Sequence, residues 1–316
     1  MPALMARRLF FLLCSCYLVL SLYQPHAWAT DEKIRILAAT FPVYQIARNI
    51  SQGVDGVEVN LMIPAEMGCP HDYALTPQDM RKLADADVLI VNGLGMEDFL
   101  GAPVSKANPR LKIIDSSLGI DKVIPYSDSE HAGDDHETTA NGHAANPHLF
   151  ASPRMAALLA ANIAGNLAGI HPAGAARYAA NAKAYGRQLN RLADDMAGLG
   201  KRLSNNRIVT QHGVFDYLAR DMGLDVVAVI QAHPGQNPSA AEMMHVVAAI
   251  KAKKAGALFI EPQYPEAAGL AIAREAGIAV ARLDPAANGP EQVPLDYYEQ
   301  VMRHNMTVLE QTLGSR

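Results

Sequence analysis

Residues 86–92, Ala-Asp-Val-Leu-Ile-Val-Asn, form a short apolar run closed by polar residues. That is the pattern of a strand buried on both faces of a parallel sheet. Leu111–Asp115 is a second such run, and upstream Lys33–Thr40 (KIRILAAT) and Val57–Ile63 (VEVNLMI) read as strands with a helix around Val43–Ser51 between them. Thr76-Pro77-Gln78-Asp79 has the chemistry of a helix start: Thr as N-cap, Pro at the first helical position, an acid at the third. Strands alternating with helices at this spacing predict an α/β lobe built on a parallel sheet.

Beyond Ser152-Pro153 the pattern changes. Arg154–Gly169 and Ala173–Ser204 are Ala-rich with helical periodicity, the second long for one globular helix. Alternation then resumes with strands expected at Arg207–Thr210, Val226–Ile230, Ala257–Ile260 and Ala279–Leu283. Helices are expected at Glu242–Lys254, Pro265–Gly277 and Asp296–Leu313. The fold class is therefore α/β, with two lobes, each a mostly parallel sheet flanked by helices, joined by one long helix. The expected division is 30–172 for the N-terminal lobe, 173–204 for the linking helix and 205–316 for the C-terminal lobe. A helical connector limits hinge bending.

The first residues read as an export signal. Met1–Arg8 carries Arg7 and Arg8 and no acid, and Leu9–Tyr23 is an uncharged apolar run. That run is short of the ~20 residues a spanning helix needs. Ala27-Trp28-Ala29 offers small residues where a signal peptidase reads, so cleavage is expected after Ala29, with an uncleaved anchor as the alternative. The expected location is the periplasm.

The chain of 316 residues carries 27 Lys+Arg, 32 Asp+Glu and a formal charge of -5. Loss of residues 1–29 removes two Arg and no acid, taking the charge to -7. An acidic balance argues against nucleic acid as a partner. Eleven His stand against three Cys, and only Cys69 lies outside the leader, which excludes an internal disulfide and directs attention to metal binding by imidazole.

Four positions are the candidates. His71 follows the strand Val57–Ile63 in GCPHDYALTP, and His148 lies in NPHLFASP before the helix start at Ser152-Pro153. His212 lies just past Arg207–Thr210 in TQHGVFDYLA, and Asp284 just past Ala279–Leu283 in RLDP. Ligand sites of open α/β sheets lie outside the carboxyl ends of strands. Three imidazoles and one carboxylate, two positions from each lobe, make a tetrahedral set suited to Zn²⁺. Each also has an ordinary alternative as a loop, capping or turn residue. His171, His233, His245 and His304 are read as structural, with a cleft-facing loop as the alternative for His233.

Ser127–Ala145 bears His131, His136 and His143 among acids, and no Lys or Arg occurs between Lys122 and Arg154. It reads as a solvated acidic loop, and three mobile imidazoles there would collect Zn²⁺ near the cleft.

These motifs resemble those of the metal-binding solute-binding proteins of bacterial ABC importers that serve zinc and manganese (cluster A-I). The resemblance runs from about Ile34 to the C-terminus and rests on PHDYALTP, NPHLFASP, QHGVFDYLA, FIEPQYP and LDP. It implies a metal held between two lobes, with the family's ligands falling on His71, His148, His212 and Asp284. Relatives resembling manganese carriers have Glu at the third position. His212 there makes this chain similar to the zinc type, in keeping with the preference of Mn²⁺ for oxygen ligands. Cys69 stands where many relatives have Asp; it is expected to pack under the site, with a soft-ligand role as the alternative. Glu261 in FIEPQYP is expected to support a ligand rather than bind metal.

The resemblance implies a carrier that captures Zn²⁺ and delivers it to the membrane subunits of an ABC permease, acting as a monomer and not as an enzyme. A four-ligand protein shell leaves no open position for a reactive water. The rival within the fold is a Mn²⁺ or Fe²⁺ carrier. Rivals from other classes are a secreted zinc hydrolase, for which Glu261 is the sole general-base candidate, and a surface adhesin.

Overall fold

In this computed structural model the described residues are 33–68, 70, 73–125, 145–231 and 237–314, and among them eight strands form two four-stranded parallel sheets. The first sheet contains β1 (Ile34–Ala38), β2 (Val57–Leu61), β3 (Val88–Val91) and β4 (Lys112–Asp115), in the order β2-β1-β3-β4. The second contains β5 (Arg207–Thr210), β6 (Asp225–Val229), β7 (Ala257–Ile260) and β8 (Ala279–Arg282), in the order β6-β5-β7-β8. Both halves thus repeat one topology. In each, the chain pairs its second strand on one side of the first and its third on the other. Strand order therefore reverses between β1 and β3 and again between β5 and β7, and the crevice outside those carboxyl ends is where such sheets bind ligands. The α/β class with two parallel sheets stands as expected.

The helices follow local signals. α1 (Phe41–Ser51) starts two residues before the expected Val43, because Pro42 in its first turn is already set at a helical φ. α2 (Pro77–Asp85) has the anticipated capping box: Asp79 N–H donates to Thr76 Oγ1 at 3.2 Å, and Thr76 N–H donates to Asp79 Oδ2 at 2.8 Å. α3 (Gly101–Ala107) was not expected. α4 (Pro153–Ile170) opens on Ser152, whose Oγ accepts from Met155 N–H, and stops at His171-Pro172, where proline cannot continue the ladder. α5 (Ala175–Arg202) is the long linking helix of 28 residues. α6 (Asp216–Met222), also not expected, ends at Gly223 with φ +74. α7 (Ala240–Lys253) opens on a Ser239–Glu242 capping box. α8 (Ala267–Ala276) and α9 (Tyr297–Leu313) complete the chain. No helix of the described residues is long and apolar enough to cross a membrane.

The two halves share one apolar core. Ile36, Ile90 and Ile114 from the first sheet belong to the same buried cluster as Leu159 and Ile163 of α4, Leu189 and Leu192 of α5, Phe215, Tyr217, Phe259 and Tyr298. The linking helix is fastened at both ends. Asn181 Nδ2 donates to the carbonyls of Ile50 and Gln52 at 2.8 Å each. Gly200 lies so close to α6 that a Cβ there would fall 2.0 Å from Met222 O. A continuous core resists wide opening, since packed interiors deform little.

Candidate metal centre

His212 follows β5, whose pairing with β6 is irregular between Ile208 and Val209. Such irregularities re-aim the side chains that follow. Thr210, Gln211 and His212 are wholly buried. Glu261 follows β7, so the two residues meet across the crevice where strand order reverses. Nδ1 of His212 lies 2.6 Å from Glu261 Oε1, both side chains without solvent exposure. The carboxylate oxygen accepts the Nδ1–H, which leaves the lone pair on Nε2 and fixes the ring.

His148, also wholly buried, is fixed in the same way by an amide. Its Nδ1 lies 2.8 Å from Asn146 Oδ1, which also accepts the backbone N–H of His148 at 2.9 Å. The amide's orientation is determined chemically. Asn146 Nδ2 faces the carbonyl of Gly213 at 2.7 Å and Asp216 Oδ2 at 3.0 Å, both acceptors, so the oxygen must face His148. An amide oxygen only accepts, so Nδ1 of His148 carries the proton and Nε2 the lone pair. Pro147, one residue earlier, takes a 2.8 Å hydrogen bond from Asn92 Nδ2. Asn92 follows β3, so the crevice of the first sheet braces His148 as that of the second braces His212.

Asn146 thus joins the two halves beside the two histidines. The rings of His148 and His212 are 5.0 Å apart, centre to centre, at 77°. Two imidazoles sharing one tetrahedral ion through Nε2 at ~2.0–2.1 Å have ring centres about 5 Å apart. Tyr264 packs against His212 at 5.6 Å and Phe150 against His148 at 5.9 Å, both in T-shaped arrangement, so aromatic rings wall the pair.

Asp284 follows β8. Its backbone N–H donates to Asn305 Oδ1 (3.0 Å) and its carbonyl accepts from Asn305 Nδ2 (2.6 Å), while Oδ1 accepts from Ala286 N–H at 2.8 Å. Burial raises its pKa above the usual carboxylate value. The Ala286 bond opposes the shift, and the charge of Glu261 adds to it. Glu261 and Asp284 therefore feel each other's field. Among the described residues, no three His, Cys, Asp or Glu are grouped so as to hold a metal alone. The structure brings together His148 and His212 and does not join Asp284 to them as a third member. His71, Cys69, His131, His136, His143 and His233 lie outside the described residues. His171 has a structural partner, Tyr178 Oη at 3.0 Å, and His245 and His304 are exposed on helices.

Sequence reasoning missed Asn146, Asn92, Gln263 and Asn305. Asn146 carried a readable signal, since a side-chain amide two residues before a buried histidine can accept from its ring. Gln263 meets Glu261 only two residues away, while Asn92 and Asn305 act across 55 and 21 residues.

The family described as "ZnuA: Zinc-uptake complex component A periplasmic" matches residues 36–312. The chain belongs to this family. This ZnuA-family chain is 27% identical over 302 residues to the zinc-binding lipoprotein AdcA of Streptococcus pneumoniae serotype 4, the match covering 95% of the chain and 59% of AdcA. The chain thus spans little more than half of that relative's length. It is 26% identical over 312 residues to the high-affinity zinc uptake system protein ZnuA of Bacillus subtilis, covering 96% of each. A crystal structure of ZnuA superposes with a TM-score of 0.74 at 26% identity, covering 89% of this chain and 99% of that one. The structure of the SBP FpvC from Pseudomonas aeruginosa in complex with Mn²⁺ gives 0.74 at 27% identity, covering 89% and 98%.

Proposed function

We propose that this ZnuA-family chain is the extracytoplasmic zinc-binding component of an ABC importer. It captures Zn²⁺ between its two halves and delivers it to the membrane subunits of a permease. The observation that carries this reading is the pair His148 and His212: two buried imidazoles, one from each half, each with Nδ1 engaged and ring centres 5.0 Å apart. His71 and Asp284 complete the proposed ligand set of three imidazoles and one carboxylate. The halves are residues 30–172 and 205–316, joined by 173–204. The chain is exported with cleavage after Ala29 to the periplasm and acts as a monomer without nucleic acid. The imidazoles of 127–145 collect metal for the cleft.

The physical account is one of preorganisation. Both rings are already held in the tautomer that presents Nε2, so binding costs little rotamer or tautomer free energy. Imidazole must be neutral to bind, so zinc affinity falls as pH drops through the imidazole range. A saturated protein shell suits carriage, in keeping with the zinc uptake that the family's description names.

One observation favours a second reading. The FpvC structure, similar over nearly its whole length, was solved with Mn²⁺. Competition titration of the metal-stripped protein decides between them. A zinc carrier holds Zn²⁺ against a large excess of Mn²⁺, because three imidazoles favour the softer ion. Displacement of Zn²⁺ by equimolar Mn²⁺ would make it a manganese carrier.

A further inference from the structure

The segment that leads to His71 is pinned from the opposite half of the molecule. Gly289 N–H donates to Ala65 O at 2.9 Å, and Asn288 Nδ2 reaches Glu66 O at 3.3 Å. Beneath them Phe41 and Ala65 of the first half pack with Val293 of the second. Two residues past Glu66, Gly68 has φ +24, and a Cβ on it would fall 3.0 Å from Gln263 Cγ and 3.4 Å from Gln263 Cβ. The stem of Gln263 therefore lies against the backbone three residues before His71.

The other end of Gln263 reaches the metal centre. Its Nε2 donates to Glu261 Oε2 at 2.6 Å, while Glu261 Oε1 holds His212. The amide's orientation is fixed because a carboxylate oxygen needs a donor. One carboxylate thus divides its two oxygens between a ligand ring and a glutamine that touches the other half. Among the described residues Gln263 Oε1 is buried without a hydrogen-bond partner, and the side chain is held by the Glu261 bond and the Gly68 contact.

We infer that Gln263 is a positioning residue that couples the His212 imidazole to the first-half segment Ala65–Gly68, and that zinc release requires this link to break. The inference rests on the zinc-carrier reading. It predicts a change in how fast metal leaves. Outer-shell hydrogen bonds to a ligand change affinity by about tenfold or more when removed. Here the loss falls on dissociation, since the link forms only with the halves together.

The test uses two variants of the purified protein. Gln263→Met keeps the stem and removes the donor; Gly68→Ala keeps the donor and inserts a Cβ against the stem. Zinc loss from the loaded protein to an excess of chromogenic chelator is followed by stopped flow. The ¹⁵N signals of the His212 ring and the amide exchange of Gly289 are measured without metal. The expected result is about tenfold faster zinc loss in both variants, at an unchanged association rate. In metal-free Gln263→Met, the His212 ring signals shift and Gly289 exchanges faster. A wild-type rate of zinc loss in either variant, or unshifted ring signals in Gln263→Met, overturns the inference. If the wild-type protein takes up no zinc, the carrier reading fails, and the metal-free signals alone then decide the coupling.

Discussion

His212 and Glu261, from the ends of neighbouring strands, share a 2.6 Å hydrogen bond with no solvent on either side chain. The acceptor is an oxygen of a carboxylate whose other oxygen is held by Gln263. Glu261→Gln should keep the shape of the site and weaken zinc binding by roughly 10–100-fold, the usual cost of losing a carboxylate behind a ligand histidine. Chelator competition measures this. Unchanged affinity would mean that the carboxylate does not act on the metal through His212.

Asn146 carries a different prediction. Its amide satisfies the backbone and ring of His148, the carbonyl of Gly213 and Asp216 Oδ2, all in a buried setting. Asn146→Ala strands several of these groups and should lower stability by about 3 kcal/mol, each stranded group costing about 1–3. Asn146→Asp should be as harmful, because it sets a carboxylate against Asp216 and a carbonyl. Urea denaturation of metal-free protein reads both.

Glu97 makes stability depend on pH. It is buried beneath the first-sheet crevice, accepting from Asn92 and Gly93 N–H at 2.8 and 3.1 Å, and burial pushes its pKa up to about 7. An acid whose pKa is higher folded than unfolded favours the folded state when protonated. Its contribution is complete below the unfolded value, near 4.5, and is lost as pH rises to about 7. The metal-free protein should therefore lose up to about 3 kcal/mol from this group across that window. Glu97→Gln should flatten the slope, while its amide NH2 leaves one of the two backbone N–H groups without an acceptor. Denaturation at a series of pH values tests it, and an unchanged slope in the variant would refute it.

The linking helix offers a purely steric test. Gly200→Ala would set a methyl 2.0 Å from Met222 O, a backbone atom that cannot swing aside. A loss of about 3 kcal/mol is expected, at the upper end for overpacking. Thermal unfolding reads it. Gly165, where a Cβ meets nothing within 4 Å, is the control and should tolerate Ala.

What could be read from the sequence was what local chemistry decides. Runs such as Val88–Val91 and Ala257–Ile260 announced buried parallel strands, and Thr76 announced a capped helix. The short α3 escaped because Gly101 and Pro103 break its periodicity, and α6 because its seven residues are too few to show a helical period. The sequence could nominate His212 past a strand and His148 before a helix as candidates, but not what holds them. Asn146 meets Gly213 across 67 residues, and Glu261 meets His212 across 49. No local pattern encodes such pairings; they arise when two copies of one sheet topology face each other over a shared core.

Zinc content after exposure to mixed metals tests the central claim most directly. The stripped protein is incubated with equimolar Zn²⁺, Mn²⁺ and Fe²⁺, desalted, and its metal content measured beside His148→Ala and His212→Ala. The account predicts one tightly held Zn²⁺ per wild-type chain and its loss from both variants. One retained Zn²⁺ in either variant, or Mn²⁺ in the wild-type protein, would contradict it.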